Sequence, residues 1–320
     1  MHMNLTELRS RKEDLVKRYG PWTDHNIHLG GDLYTMESRP FSPKWRRILQ
    51  LVADIAGEPL DRLRILDLAC LEGQYAVEFA RHGASVVGIE GREGNIAKAR
   101  FAKEALALAN LEFHQDDVRN LSVAKYGHFD VVLCLGLFYH LDAPDLFDFM
   151  ARISEVCRRF VVIDTYVSLA AKERYTHGNR TYWGREYVEH SEHSNSEERL
   201  DSAWASLDNT RSVWLTRPSL LNLLTHCGFT STYECFTPAE RNKLKDRVTL
   251  MGVKGRPQKV LNVVVPEDVS AADYPEQLTT ETHVINQPFG DLSGRLSRVV
   301  PHRLKQPAKR MLRRLGVHRS

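Results

Sequence analysis

Ile65-Leu66-Asp67-Leu68-Ala69-Cys70-Leu71-Glu72-Gly73-Gln74-Tyr75 runs from an apolar strand through a tight turn of small residues into a helix. Such a strand–turn–helix unit opens a parallel sheet covered by helices, and the pattern repeats as far as about Tyr166. Strands are predicted at Arg64–Leu68, Ser85–Glu90, Leu111–Gln115, Asp130–Cys134 and Phe160–Asp164. Helices are predicted at Tyr75–His82, closed by Gly83, at the Ala-rich Glu93–Ala109, and at Pro144–Ser154 with its Pro just inside the first turn. Pro218–His226 reads as a further helix stopped by Gly228, and Thr230–Phe236 with Arg247–Val253 as a closing antiparallel pair. The fold class is therefore α/β: a doubly wound, seven-stranded, mostly parallel sheet.

Around this centre the chain divides into an N-terminal helical segment at 1–55, a main domain at 56–254 and an extension at 255–320. Within the first segment, residues 20–31 form a polar and aromatic loop positioned to fold over a ligand. Within the main domain, residues 168–212 interrupt the sheet pattern as an insertion or cap. A chain of 320 residues, 42% hydrophobic and 27% charged, has material for one sizeable core with appendages. Its longest apolar runs, such as Phe129–Tyr139, fall short of the roughly 18 residues a membrane-spanning helix needs, and its start is too polar for a secretory signal. A cytoplasmic protein is expected. The five cysteines are widely spaced and set mostly among apolar neighbours, as reduced, buried thiols are.

The net charge of +3 conceals an asymmetry, because residues 292–320 carry nine basic side chains and no acid. Removing those nine charges leaves about −6 on residues 1–291. A mildly acidic body argues against a broad nucleic-acid footprint, which spreads Lys and Arg over a folded face. In the tail, Met311, Leu312 and Leu315 share one helical face with basic groups largely opposite. Contact with a membrane surface, contact with phosphate or RNA, and docking on the protein or on the mate in a homodimer all stay open.

The chemistry concentrates at strand ends. Asp67 closes the first strand; Glu90 follows 23 residues later at the end of the second, suited to accept both ribose hydroxyls of a nucleoside. Asp117, just beyond the third strand, is suited to accept from an adenine amino group. Three acids at three successive strand ends make a nucleoside site. A nicotinamide dinucleotide fits it poorly, since Leu71 adds bulk and Glu72 negative charge where a pyrophosphate would need glycines.

With these residues the chain resembles the class I S-adenosylmethionine-dependent methyltransferases, in the bacterial group labelled methyltransferase type 11 or 12. The likeness covers residues 60–165 well and extends loosely to 254. It implies a Rossmann-like sheet and S-adenosyl-L-methionine as cofactor, with S-adenosyl-L-homocysteine as product. In that pattern Asp67, Ala69, Cys70 and Gly73 belong to the first motif, beside the methionine moiety. Glu90 and Gly91 lie at ribose, Asp117 and Val118 flank adenine, and Leu135 opens the fourth-strand motif beside the methyl group. The usual acid-x-Gly-x-Gly-x-Gly has become Asp67-Leu68-Ala69-Cys70-Leu71-Glu72-Gly73, so Leu71 requires a backbone that avoids glycine-only conformations.

Methyl transfer is an in-line displacement in which positioning supplies most of the rate, and no metal is required. If the acceptor is a hydroxyl or an ammonium, a base must take its proton, and His140 and Asp164 are the candidates by topology. Trp22 and His25 of the N-terminal loop, Tyr139, Tyr166 and Arg185 are candidates for lining the acceptor pocket. His190 and His193 have a chelating spacing but no third ligand, so no metal site is expected. The leading expectation is a methyltransferase for a small-molecule or glycan acceptor. One alternative is a tRNA-modifying enzyme, because Leu137-Phe138-Tyr139-His140 followed by Trp214–Leu220 and Cys227-Gly228-Phe229 is similar in layout to the wobble-uridine carboxymethyltransferases. Another is a noncatalytic adaptor, with Leu71 or a neighbour filling the cofactor cleft.

Overall fold

A computed structural model describes residues 3–36, 43–235 and 245–256. The basic tail at 292–320 lies outside these residues, as does all but the start of the 255–320 extension. In chain order the elements are α1 (Leu5–Tyr19), β1 (His28–Gly30), β2 (Leu33–Tyr34), α2 (Pro43–Ala56), β3 (Arg64–Leu68), α3 (Gln74–Arg81), β4 (Ser85–Glu90) and α4 (Glu93–Ala105). There follow β5 (Leu111–Gln115), α5 (Val123–Tyr126), β6 (Phe129–Leu135), α6 (Asp145–Val156), β7 (Cys157–Tyr166), β8 (Glu173–His177) and β9 (Arg180–Val188). The last are α7 (Ser196–Asp201), β10 (Arg211–Leu215), α8 (Arg217–His226), β11 (Ser231–Glu234) and β12 (Arg247–Val253).

The main sheet has seven strands in the order β11-β12-β7-β6-β3-β4-β5. Strands β3 to β7 are parallel, and β12 runs antiparallel to both β7 and β11. Its central strands are apolar on both faces because both are covered. Leu66, Leu68, Val132 and Cys134 pack under α6 and α8, whereas Ile65, Val131 and Leu133 pack with α2, α3 and α4. The chain order reverses between β3 and β6, so a crevice opens at the carboxyl ends of those strands.

The predicted bounds of β3, β4 and β5 are those observed, while β6 and β7 are longer than the sequence implied. The Ala-rich helix ends early, at Ala105, where Ala107 turns left-handed (φ 51°) ahead of β5. Pro144 caps α6 rather than entering it, and Thr216 caps α8 by accepting from the Ser219 amide. The insertion is more ordered than a polar interruption: β8, β9 and β10 form their own antiparallel sheet, which continues to Leu215.

Candidate active site

A cavity of about 1040 Å³ lies over the carboxyl ends of β3, β4, β6 and β7, within the size range that takes a nucleoside together with a second small molecule. Asp67, Ala69, Cys70 and Leu71 line it at the end of β3, Glu90 and Gly91 at the end of β4, and Asp117 and Val118 beyond β5. Leu135 ends β6 and Tyr139 and His140 follow it, Asp164 and Tyr166 belong to β7, and His25 enters from the N-terminal loop. The three acids singled out by strand spacing thus meet in one crevice. Leu71 borders the cavity without filling it, and among the described residues none blocks the cleft.

The turn after β3 is left-handed at alternate positions. Ala69 and Leu71 both sit at φ 50° and Gly73 at φ 85°, so the three positions where the family pattern has glycine are all left-handed. Leu71 thus avoids the glycine-only conformations and takes a φ open to L-residues, at a cost of about 1–2 kcal/mol. In return its amide points at Glu90 and donates to Oε2 at 3.0 Å. Gly73 is not among the residues bordering the cavity. It faces inward, where a Cβ would lie 2.8 Å from Phe113 Cζ and 3.0 Å from Ala99 Cβ. Gly73→Ala is therefore expected to destabilise the fold by about 1–3 kcal/mol in urea unfolding, from overpacking and backbone strain together.

Glu72 also departs from its reading as a repulsive charge. It is fully buried, accepting from the amides of Thr23 (2.8 Å), Asp24 (3.3 Å) and His25 (3.3 Å), and is paired with Lys98 at 3.3 Å. Its charge pins the N-terminal loop instead of facing a ligand. That loop is accordingly a fixed wall, not a free lid. Trp22 lies beneath it, 4% exposed against Phe101 and under the Lys98 ammonium, and does not reach the cavity. His25 does reach it, with Nδ1 accepting the Gln74 amide at the start of α3. Burial lowers the pKa of His25 despite the nearby Glu72 and Asp24, so its ring is neutral and presents Nε2–H.

Two of the acids are buried, and Glu90 feels a positive charge only from the Arg92 guanidinium, which is bonded elsewhere. Asp67 is 2% exposed, accepts one backbone bond from Ala76 at 3.2 Å, and is pushed up to about 7 by burial, with Glu90 adding to the rise. Burial likewise raises Glu90, although the Leu71 and Arg92 amides and the Asn95 amide group donate to it. A ligand that brings an ammonium and hydroxyl donors satisfies such carboxylates, and the methionine and ribose parts of S-adenosylmethionine bring both. Asp117 is less free than the sequence implied: Arg119 donates to it through Nε (2.9 Å) and Nη2 (2.6 Å), and its own Oδ1 accepts the Arg119 amide.

Asp164, offered as a base, is unsuited to that role. Lys44 and Arg247 each reach Oδ1 at 2.7 Å, and Thr249 donates to Oδ2 at 2.8 Å. Burial alone would raise its carboxyl, but Lys44 and Arg247 hold it below the ordinary range, so it is a weak base that anchors α2 to β12. Arg185 also misses the cavity; its guanidinium stacks 4.1 Å from the ring centre of Trp214. Trp214 in turn stacks on Tyr166 at 4.8 Å and on Tyr187 at 4.6 Å, with Tyr139 edge-on at 6.0 Å. Tyr139, Tyr166, Tyr187 and Trp214 of this aromatic wall all border the cavity.

The insertion supplies the roof. Residues 203–209 line the cavity, and Leu207 covers Gly91 so closely that a Cβ on Gly91 would meet its Cδ1 at 2.5 Å. The insertion also supplies a group that the sequence reading passed over. Glu189 accepts from His140 Nδ1 at 2.8 Å, from the Ser206 amide at 2.9 Å and from Ser212 Oγ at 2.6 Å. The stretch Glu189–His193 drew notice for chelation, but His190 instead contacts the Ser206 carbonyl and the acid beside it faces the cavity.

Comparison with known proteins agrees with this geometry. The family described as a methyltransferase domain matches residues 65–159. The ubiquinone biosynthesis O-methyltransferase of Acinetobacter baylyi is 33% identical over 98 residues, 31% of this chain; the chain thus spans 39% of the length of that curated relative. The O-antigen chain terminator bifunctional methyltransferase/kinase WbdD of Escherichia coli is 27% identical over 133 residues, covering 40% of this chain and 17% of that protein. Among solved structures, the N-terminal domain of EvdMO1, crystallised in the presence of SAH and D-fucose, superposes with a TM-score of 0.62 at 24% identity. That superposition covers 79% of this chain and 98% of the domain, and it is a likeness of fold. Over residues 65–159 the chain is a methyltransferase domain of the class I, S-adenosylmethionine-dependent kind.

Proposed function

We propose that this protein methylates a hydroxyl group of a small-molecule or glycan acceptor, using S-adenosylmethionine. The observation that carries the reading is a single cavity lined by Asp67 and Glu90 and also by His140 and an aromatic wall. When bound, the cofactor supplies a methyl group activated by a positive sulfonium. Asp67 and Glu90 meet its cationic and hydroxyl groups, and Asp117 with Val118 borders the adenine end. Leu135 and Tyr139 line the same cavity. His140 takes the proton of the acceptor hydroxyl: its Nδ1 is engaged by Glu189, while Nε2 has no partner among the described residues and the ring borders the cavity. The aromatic wall of Tyr139, Tyr166 and Trp214 suits the face of a sugar or a phenol. Among the relatives, one is named for an O-methylation, which favours a hydroxyl acceptor, and the other is named an O-antigen chain terminator, which favours a glycan.

Titration of the full chain with S-adenosylhomocysteine in a calorimeter tests the cofactor half of this reading, with one-to-one binding at micromolar affinity expected. Absence of heat at millimolar ligand removes it. Transfer of labelled methyl from S-adenosylmethionine to a panel of phenols and free sugars tests the acceptor half.

A further inference from the structure

The contact between His140 and Glu189 determines more than a distance. The Glu189 side chain is 1% exposed, and burial alone would raise its carboxyl. The donors from His140, Ser212 and Ser206 outweigh burial and hold it below the ordinary range. An ionised carboxylate only accepts hydrogen bonds, so the proton in the 2.8 Å contact belongs to Nδ1 of His140. A neutral imidazole protonated at Nδ1 carries its lone pair on Nε2, the atom with no partner among the described residues.

Glu189 is itself held from the cofactor side. Ser206, whose amide donates to Glu189 Oε2, lies in a segment hung from one side chain: Arg92 donates to the carbonyls of Leu200 (3.0 Å), Ser202 (2.8 Å), Ala205 (2.9 Å) and Ser206 (3.0 Å). The backbone amide of Arg92 donates to Glu90 Oε1 at 2.9 Å. Asn209 completes the tie by donating to the His140 carbonyl at 2.9 Å. A continuous set of hydrogen bonds therefore runs from the ribose-side acid, through Arg92 and the 200–206 segment, to Glu189 and the imidazole.

We propose that Glu189 is the positioning residue that keeps His140 in its Nδ1–H tautomer, and that Arg92 seats Glu189 by tying the insertion to the nucleoside loop. The proposal rests on the reading of His140 as the base. In the step it serves, the acceptor hydroxyl gives its proton to Nε2. Its oxygen forms the new bond to the methyl carbon as the carbon–sulfur bond breaks, with that electron pair remaining on sulfur. His140 becomes an imidazolium beside the Glu189 carboxylate, then returns the proton to solvent.

The test is a long-range proton–nitrogen NMR spectrum of the full chain labelled at histidine nitrogens, at alkaline pH, with His140 assigned through His140→Gln. The wild-type ring is expected as the Nδ1–H tautomer. Glu189→Leu, which removes the acceptor at nearly the same size, is expected to convert it to a mixture rich in Nε2–H. Arg92→Ala is expected to loosen the preference and to speed hydrogen exchange of the 203–209 amides by about tenfold or more. A wild-type ring protonated at Nε2 overturns the proposal, and so does a tautomer that Glu189→Leu leaves unchanged. The wild-type spectrum alone decides the matter should the variants fail to fold. Failure of S-adenosylhomocysteine to bind would instead strike the functional reading, because the tautomer is measured without ligand.

Discussion

Glu90→Ala raises the dissociation constant for S-adenosylhomocysteine by about 10²- to 10⁴-fold in calorimetry. Hydrogen bonds to a charged group contribute about 1.5–3 kcal/mol each, and a ribose presents two hydroxyls, which together give that range. The loss is compounded within the protein. Glu90 accepts from the Leu71 amide at 3.0 Å and the Arg92 amide at 2.9 Å, so its removal frees the strained turn after β3 and the residue that carries the insertion. Glu90→Gln discriminates between these contributions. Its carbonyl oxygen keeps one amide partner, but its NH₂ group confronts the other amide, so binding weakens almost as far as in the alanine variant. An affinity within about threefold of wild type for both variants would sink the assignment of Glu90 to the nucleoside.

The path from sequence to this site was direct where chemistry follows strand order. Asp67, Glu90 and Asp117 were found because each lies at or just beyond the end of a buried β-run, and parallel topology brings such ends together whatever the side chains between them. The same logic located the crevice, since it depends only on the reversal between β3 and β6. It failed wherever a partner comes from far along the chain. Asp164 looked like a free acid at a strand end, yet Lys44 and Arg247, 120 and 83 residues away, occupy it. Glu72 looked like a charge facing the ligand, but Lys98 and three loop amides draw it inward.

Trp22 and Arg185 show a second limit. An aromatic ring or a guanidinium in a polar loop serves equally well under the loop or in the pocket, and local sequence does not separate the two. Glu189 marks a third. Nothing in the periodicity of β9 distinguishes it from Glu186 or Glu192, both of which pair with Arg211 on the surface. Its role follows from the register of β9 against β10 and the return of residues 206–212 beside it, which are tertiary facts. The one available signal was the acid beside His190, in a segment considered only for metal binding.

The affinity for S-adenosylhomocysteine falls with pH, and Asp67 is the cause. Burial lifts its carboxyl to about 7, so near neutrality a substantial share of the free protein carries it protonated. A ligand whose α-ammonium needs the ionised form must displace that proton. The dissociation constant accordingly rises about 25-fold between about pH 7.5 and 5.5, approaching tenfold per unit at the acid end. The same shift has an opposite sign for stability. The folded apoprotein binds this proton more tightly than the unfolded chain, so Asp67 favours folding below about pH 4 and progressively loses that contribution as pH rises to 7. Asp67→Asn should thus do two things at once. At pH 8 it raises the melting temperature of the apoprotein by several degrees, since a buried charge is gone while the Ala76 amide retains an acceptor. It also weakens S-adenosylhomocysteine binding and flattens the pH profile, which separates Asp67 from Glu90, the other raised carboxyl. A wild-type affinity that stays level from pH 7.5 to 5.5 is the result this account of Asp67 does not survive.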